Sequence, residues 1–174
     1  MKYSLRILPD PDPPNPRDDD NLGTMICFHN RYNLGDKTKL TSDNFKSWKE
    51  LEDYLIKKEG AAVILPIYIY DHSGITISTQ PFSCPWDSGQ IGFIYVSREK
   101  LLDEYNKKYV THALKVKAAG ILRDEVDAYD VYLQGDYWGY EIVDENDNPV
   151  DSCWGYDDYN YCKKEGQAAL QGLL

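Results

Sequence analysis

The residues best suited to chemistry lie between positions 71 and 95, where turn-forming, ionisable and nucleophilic side chains are concentrated. The run reads Asp-His-Ser-Gly-Ile-Thr-Ile-Ser-Thr-Gln-Pro-Phe-Ser-Cys-Pro-Trp-Asp-Ser-Gly-Gln-Ile-Gly-Phe-Ile-Tyr. None of its spacings is that of a metal-ligand motif, a nucleophile elbow or a phosphate loop. The run therefore predicts where the protein acts more clearly than which chemistry it performs.

Several ionisable residues in loops next to strand ends raise the question of a metal site. Imidazole and carboxylate groups suit hard or borderline metal ions, but no pair has the HxxxH or HExxH spacing of a helical metal site. A His or Asp at a hairpin tip more often hydrogen-bonds its own backbone. We therefore predict no metal site and no cofactor. The residues weighed are His29, Asp36, Asp71, His72 and Asp87.

A catalytic interpretation of the same region depends on Cys84, with His72 or His29 as its base. A thiol and an imidazole need only be close in space, and prolines on both sides would hold Cys84 rigidly. A free cysteine is, however, commonly a small buried hydrophobe, and no oxyanion-hole signature stands beside this one. An enzyme acting through His72, Asp87 or Cys84 is therefore our third hypothesis, and we assign no catalytic residue.

Binding of a nucleotide-like ligand makes smaller demands on geometry. Aromatic rings, including Phe82 and Tyr95, could stack on a planar ligand while Arg31 and the backbone amides at Gly74 and Gly89 engage a phosphate or ribose. With 15 tyrosines and 4 tryptophans, aromatics near any loop are also expected from packing alone. The ligand-binding residues of this second hypothesis are Arg31, Tyr32, His72, Ser73, Thr76, Ser78, Trp86 and Asp87.

The net charge of −10 is unevenly distributed along the chain. Residues 1–120 carry 16 acidic and 16 basic side chains, whereas residues 121–165 carry 13 acidic and 3 basic ones. Phosphate binding needs Lys and Arg clustered on one face, so direct binding to DNA or RNA is not expected.

An acidic helix and hairpin could instead imitate a phosphate backbone and occupy the basic groove of a nucleic-acid-binding protein. The commoner meaning of an acidic stretch is a solvated surface. The carboxylates predicted to contact such a partner are Asp124, Asp127, Asp130, Asp136, Glu141, Asp144, Glu145 and Asp147.

The four cysteines and the N-terminus bear on the cellular setting. Cys27, Cys84, Cys153 and Cys162 form no CxxC pair, which disfavours a zinc ribbon. No signal-peptide apolar region forms before Pro9, and no apolar run approaches membrane-spanning length. We expect a cytoplasmic protein with reduced thiols and no membrane contact.

Chain length and hydrophobic pattern predict the elements that must position these residues. A chain of 174 residues with 42% hydrophobic content is sufficient for one globular domain over 1–174. Proline and aspartate make residues 9–20 an exposed loop. The pattern predicts strands over 3–8, 24–29, 61–70, 75–79 and 90–97, and helices from Thr41 or Ser42 to Gly60, from Ser97 to about Tyr109, and from Thr111 to Gly135.

The tripeptide Trp-Gly-Tyr occurs twice in the C-terminal region, at 138–140 and again at 154–156. A hairpin turning at residues 145–149 would bring Trp138 and Trp154 opposite or diagonal to each other. The predicted fold class is α+β, with a mostly antiparallel sheet, about three helices and a C-terminal β-hairpin.

Four segments carry a resemblance to known sequences: residues 28–36, 70–79, 81–95 and 151–155. They resemble an uncharacterised family of small proteins from bacteriophages and bacterial mobile elements, over about half of the chain. The resemblance implies a protein that works inside an infected bacterium, and it transfers no functional residue. The first hypothesis is accordingly a phage-type accessory protein that antagonises a host defence protein, one with a basic nucleic-acid-binding surface, by stoichiometric binding.

Overall fold

The computed structural model describes residues 2–173, which form an α+β fold with two antiparallel sheets. None of the helices in this range is both long and apolar enough to cross a membrane. The strands are β1 (Ser4–Pro9), β2 (Thr24–Cys27), β3 (Ala61–Asp71), β4 (Ile75–Ser78), β5 (Ser88–Ser97), β6 (Trp138–Val143) and β7 (Pro149–Tyr156), and the helices are α1 (Trp48–Lys57), α2 (Arg98–Glu104), α3 (His112–Gln134) and α4 (Tyr159–Gly172).

The chain divides into two compact units, Arg17–Asp130 and the residues up to Pro16 together with those from Val131 onward. The larger unit contains a four-stranded sheet in the order β2-β5-β3-β4. β3 and β5 pair along nearly their whole lengths, whereas β4 pairs only with residues 68–71 of β3. Pro66 lies beyond the end of β4, so its missing N–H interrupts no hydrogen bond on that side, as expected for a proline at a local edge.

Helix α1 covers one face of this sheet and begins later than predicted. Ser47 is its N-cap and accepts a hydrogen bond from the amide of Glu50 at 3.2 Å. The prediction of Thr41 or Ser42 as the cap was wrong, because residues 42–44 form a 3-10 turn and Phe45 is extended. The apolar face of α1 completes a core made of Ile26, Leu51, Leu55, Phe93 and Tyr95.

The caps predicted for α2 and α3 are confirmed. Ser97 accepts a hydrogen bond from the amide of Lys100, and Thr111 accepts one from the amide of Leu114, each at 3.2 Å. α2 ends at Glu104, earlier than expected, since Asn106 has a φ of 48° that stops the helix. The buried stripe of α3 consists of Leu114, Ala118, Leu122, Val126 and Tyr129.

Arg17 departs from the expectation of a fully exposed segment at 9–20. Its side chain is only 3% exposed and donates to both carboxylate oxygens of Asp36 at 2.7 and 2.8 Å. It also donates to Glu125 of α3 at 3.2 Å and to the carbonyl of Gly23 at 2.8 Å. Burial opposes the charge, but the bonds and charges of Asp36 and Glu125 outweigh it and raise the pKa of Arg17. The segment is therefore anchored at a buried ion-pair network.

The smaller unit is a three-stranded sheet in the order β1-β6-β7, with α4 packed against it. The predicted hairpin of β6 and β7 is present, but the C-terminal region ends in α4 rather than in the hairpin. Asp158 caps α4 by accepting a hydrogen bond from the amide of Tyr161 at 2.6 Å. The core between α4 and the sheet centres on Tyr140, Ile142 and Cys162.

The expected pairing of Trp138 with Trp154 was wrong. Register shifts in the hairpin place Tyr156 opposite Trp138 and Cys153 opposite Tyr140. Trp138 packs on the α4 side, edge to face with Tyr159 at 5.0 Å. The cross-strand aromatic pair is Tyr140 with Tyr156, at a centroid distance of 6.2 Å.

Candidate functional site

A cleft of about 510 Å³ lies at one end of the four-stranded sheet. We call it the Trp86 cleft, and it is lined by residues 28–31, Ile69, Asp71 and residues 86–91. Three segments far apart in sequence meet here because β5 pairs with both of its neighbours. Cys27 at the end of β2 lies opposite Gly92, and Tyr70 near the end of β3 lies opposite Ser88. The pairing register therefore brings the loop after β2 and the loop before β5 to the same edge.

Trp86 is the most exposed large hydrophobic side chain among the described residues, at 90%. It stands on the loop that leads into β5, whose backbone is held in place by two contacts. Asp71 donates its amide to the carbonyl of Asp87 at 2.8 Å, and the Ser88 hydroxyl donates to the carbonyl of Cys84. An indole left in water forgoes the burial that usually stabilises aromatic residues, and a planar ligand stacked on it would recover part of that burial.

Arg31 supplies the positive charge of the Trp86 cleft. Its side chain is 67% exposed and forms an ion pair with Asp71, whose side chain is only 15% exposed. The guanidinium carbon lies 5.4 Å from the centroid of the Tyr32 ring, and the Tyr32 hydroxyl donates to Asp71 at 3.4 Å. Because guanidinium has five N–H donors, Arg31 retains donors for a ligand while Asp71 and Tyr32 fix its position.

His29 lines the cleft but acts as a turn former. Its Nδ1 accepts hydrogen bonds from the amides of Arg31 and Tyr32 at 3.2 and 3.3 Å, and its ring stacks on Tyr32 at 5.0 Å. Asp36, weighed with it as a metal ligand, belongs instead to the Arg17 network. Within residues 2–173 no group of three His, Cys, Asp or Glu side chains could hold a metal ion.

The residues of the catalytic hypothesis meet at Asp87. One carboxylate oxygen of Asp87 lies 3.2 Å from Nδ1 of His72 and 4.0 Å from the sulfur of Cys84. A thiol can be activated by an imidazole within hydrogen-bond reach, and here a carboxylate is the shared neighbour of both groups. The arrangement orients His72 at the rim of the cleft.

Only some of the ligand-binding residues predicted from the sequence lie at the Trp86 cleft. Arg31, Trp86 and Asp87 line the cleft, while Tyr32 and His72 contact its lining residues. The hydroxyl residues have other roles. Ser73 occupies a turn with a φ of 60°, Thr76 donates to Asp130 at 2.8 Å, and Ser78 accepts from the amide of Gln80 at 3.0 Å.

The remaining aromatics of this hypothesis also contact other parts of the larger unit. Phe82 packs against Tyr70 at 5.8 Å, and Tyr95 belongs to the core beneath α1. Phe28, Ile69 and Gln90 line the cleft and were not predicted. The one sequence signal that could have identified them is their position at strand ends beside Arg31 and Trp86.

The acidic residues predicted to bind a partner are distributed over both units. Asp124 and Asp127 are exposed on α3, while Asp130 accepts hydrogen bonds from Thr76 and from the amide of Ile77 at 2.8 and 2.7 Å. Burial and the nearby charges of Asp124 and Asp130 raise the pKa of Asp127. Asp130 thus holds α3 to β4, and only Asp124 and Asp127 of these three carboxylates are exposed to a partner.

The five acidic residues of the smaller unit are also partly committed to local structure. Asp147 forms an ion pair with Arg6, and Glu141 lies opposite Arg6 in the strand register. Asp144 accepts hydrogen bonds from Asn148 and Asn146, chiefly from their backbone amides, which lower its pKa. Asp136 and Glu145 are exposed.

Comparison with known proteins finds no match among protein-family models, curated proteins or solved structures. The function is therefore inferred from the side chains of the chain itself.

Proposed function

We propose that this protein is a non-enzymatic binding protein that sequesters a nucleotide-like small molecule in the Trp86 cleft. The observation that carries the proposal is the 90% exposure of Trp86 at a cleft that also presents Arg31. Ligand sites combine an apolar surface with a few fixed polar groups. A planar base stacked on the indole and an anionic group on the guanidinium satisfy both features at once.

The charges around the cleft support a ligand that is polar as well as anionic. Asp71 and Asp87 lie beside Arg31, so the cleft carries carboxylate acceptors together with a guanidinium donor. Acceptors of this kind suit the N–H groups of a base or the hydroxyls of a ribose. A simple inorganic anion offers no such donors and would use the guanidinium alone.

The resemblance to phage and mobile-element proteins supports a setting inside an infected bacterium. Sequestration there would antagonise a host defence system by stoichiometry rather than by turnover. Sequestration requires no nucleophile, and the contacts of Asp87 with His72 and Cys84 are compatible with a role of Asp87 in orienting the loop at the cleft.

Thermal unfolding in the presence of AMP, GMP, CMP or UMP tests the proposal. A ligand that binds only the folded state at a hundredfold excess over its Kd stabilises that state by about 2.7 kcal/mol, or roughly 5 to 10 °C for a chain of this size. We expect at least one nucleotide to raise the Tm of the wild type, and Trp86→Ala to abolish the shift.

Tyr109→Ala is the matched control, since Tyr109 is also an exposed aromatic, at 73%, and lies outside the cleft. This variant should keep the full ligand-induced shift. The proposal fails if none of the four nucleotides stabilises the wild type, or if Trp86→Ala retains the shift.

A second candidate function is binding of a basic protein surface by Asp124 and Asp127. The supporting observation is that these two exposed carboxylates lie one turn apart on α3 and that like charge contributes to the raised pKa of Asp127. The partner would be a host defence protein with a basic nucleic-acid-binding surface. Capture of such a protein from a bacterial lysate should fall between about 50 and 500 mM salt and with Asp124→Asn and Asp127→Asn together; capture insensitive to both would exclude this function.

A further inference from the structure

A second, more apolar pocket of about 360 Å³ adjoins the Trp86 cleft. We call it the Phe45 pocket, and it is lined by Phe28, Ser42, residues 45–48 and Leu51. Phe28 lines both cavities, so this residue lies at the boundary between them. A ligand that occupies the Trp86 cleft is therefore next to a second aromatic surface.

The rings of the Phe45 pocket share one orientation. Phe28 lies 6.2 Å from Phe45 with an interplanar angle of 19°, and 6.2 Å from Trp48 with an angle of 15°. The amide of Phe28 donates to the carbonyl of Ile91 at 2.7 Å, which fixes Phe28 to β5. Phe28 thus stacks on both rings and all three pack partly against the core, and the ring surface left open to the pocket is one on which any base can stack.

Each cavity has one cationic side chain among its lining residues, and in the Trp86 cleft two carboxylates, Asp71 and Asp87, accompany it. Arg31 lines the Trp86 cleft and Lys46 lines the Phe45 pocket, and both side chains are exposed. The Phe45 pocket contains no carboxylate among its lining residues. A mononucleotide has one base and can stack on only one of the two aromatic surfaces.

We propose that the ligand is a dinucleotide, with one base on Trp86, the other in the Phe45 pocket, and its phosphates between Arg31 and Lys46. This inference rests on the proposed function, because it extends the ligand of the same site. Compared with the mononucleotide of the proposed function, the ligand has a second base and a phosphate linker.

Calorimetric titration of the four mononucleotides and the four linear 5′-phosphorylated homodinucleotides, such as AMP and pApA, tests the second subsite. For at least one base, the dinucleotide should bind the wild type about tenfold more tightly than the mononucleotide, the order expected when one further base stacks on an aromatic side chain. Equal affinities for every base would overturn the inference while leaving the proposed function intact. Absence of binding by all eight compounds would overturn both.

Two variants assign the added affinity to the Phe45 pocket. Ser42→Trp places an indole in the pocket from an exposed position, and it should reduce dinucleotide affinity to that of the mononucleotide without changing the latter. Lys46→Ala should weaken dinucleotide binding several-fold, whereas Lys57→Ala, at the far end of α1 and outside both cavities, should not. If Ser42→Trp weakens both compounds equally, or neither, the second base does not occupy this pocket.

Discussion

The indole of Trp154 lies directly against Gly139 on the adjacent strand. Gly139 is buried, and a methyl group added there would overlap the indole ring. Trp138 and Tyr140 on either side of Gly139 point toward α4, so Trp154 covers the opposite face of the sheet. The tryptophans of the two Trp-Gly-Tyr units therefore pack on different faces of the sheet, whereas the tyrosines, Tyr140 and Tyr156, pack on the same face.

The first prediction concerns this contact. Gly139→Ala should displace the indole and lower the free energy of unfolding by about 1 to 3 kcal/mol, the usual cost of overpacking. Urea denaturation followed by circular dichroism measures the change. Gly89→Ala is the matched control, because it is also a strand glycine but has open space around it, and it should be nearly neutral. Equal effects of the two substitutions would contradict the described packing of Trp154.

The second prediction compares two helical glycines. A methyl group at Gly166 of α4 would lie 2.8 Å from Leu5 and 3.0 Å from Tyr140, whereas one at Gly120 of α3 would meet nothing within 4 Å. Ala is favoured over Gly in a helix by about 1 kcal/mol. Gly120→Ala should therefore raise the Tm, and Gly166→Ala should lower it. A rise in both would show that α4 does not approach the sheet as closely as described.

The third prediction concerns the buried ion pair of Arg17. Arg17→Ala leaves Asp36 and Glu125 with their backbone-amide donors but without their cationic partner, and loss of one member of a buried pair costs about 3 to 5 kcal/mol. Arg6→Ala removes a pair that is 45% exposed on the arginine side and should cost less than about 1 kcal/mol. Guanidinium denaturation of both variants makes the comparison, and similar losses would contradict the burial of Arg17.

The fourth prediction is a pH dependence at Asp127. Burial, with the charges of Asp124 and Asp130, raises the pKa of Asp127 above its ordinary value of 3.8. The carboxyl group of Asp127 therefore binds a proton more tightly in the folded state than in the unfolded chain. Protonation of Asp127 stabilises the folded state fully below pH 3.8, and this stabilisation is lost as the pH rises through the raised pKa.

Asp127→Asn removes the repulsion and should raise the free energy of unfolding at pH 7 by about a few tenths of a kcal/mol after solvent screening, and with it the Tm. The gain should disappear at pH 3 and shrink in high salt. Thermal melts at both pH values measure it. A gain that is the same at pH 3 would mean that the charge of Asp127 is not its cause.

Strand positions could be predicted from the sequence because the apolar runs at 61–70 and 90–97 are continuous and bounded by turn residues. Helix α4 could not, since its buried positions are the small residues Cys162 and Gly166, which form no conspicuous apolar stripe. The burial of Arg17 could not be predicted from the sequence either, because its partners Asp36 and Glu125 are 19 and 108 positions away.

In the candidate site, too, some residues could be predicted from the local sequence and others could not. Arg31 and Trp86 could be proposed because their turn-rich loops flank two apolar strands, β2 and β5, which pair with each other. Thr76 was misassigned because a hydroxyl group has many potential partners, and only the tertiary structure selects Asp130. Lys46 and Phe45 were read as part of a helix, and their place in a pocket depends on the later start of α1 at Trp48.

The central claim is that a nucleotide stacks on Trp86, and the indole N–H signals of the four tryptophans test it most directly. In a two-dimensional ¹H–¹⁵N spectrum, with the Trp86 signal assigned by Trp86→Phe, titration with the best-binding mononucleotide should shift the Trp86 indole signal saturably and leave those of Trp138 and Trp154 in place. Saturable binding that leaves the Trp86 signal unchanged would contradict the account.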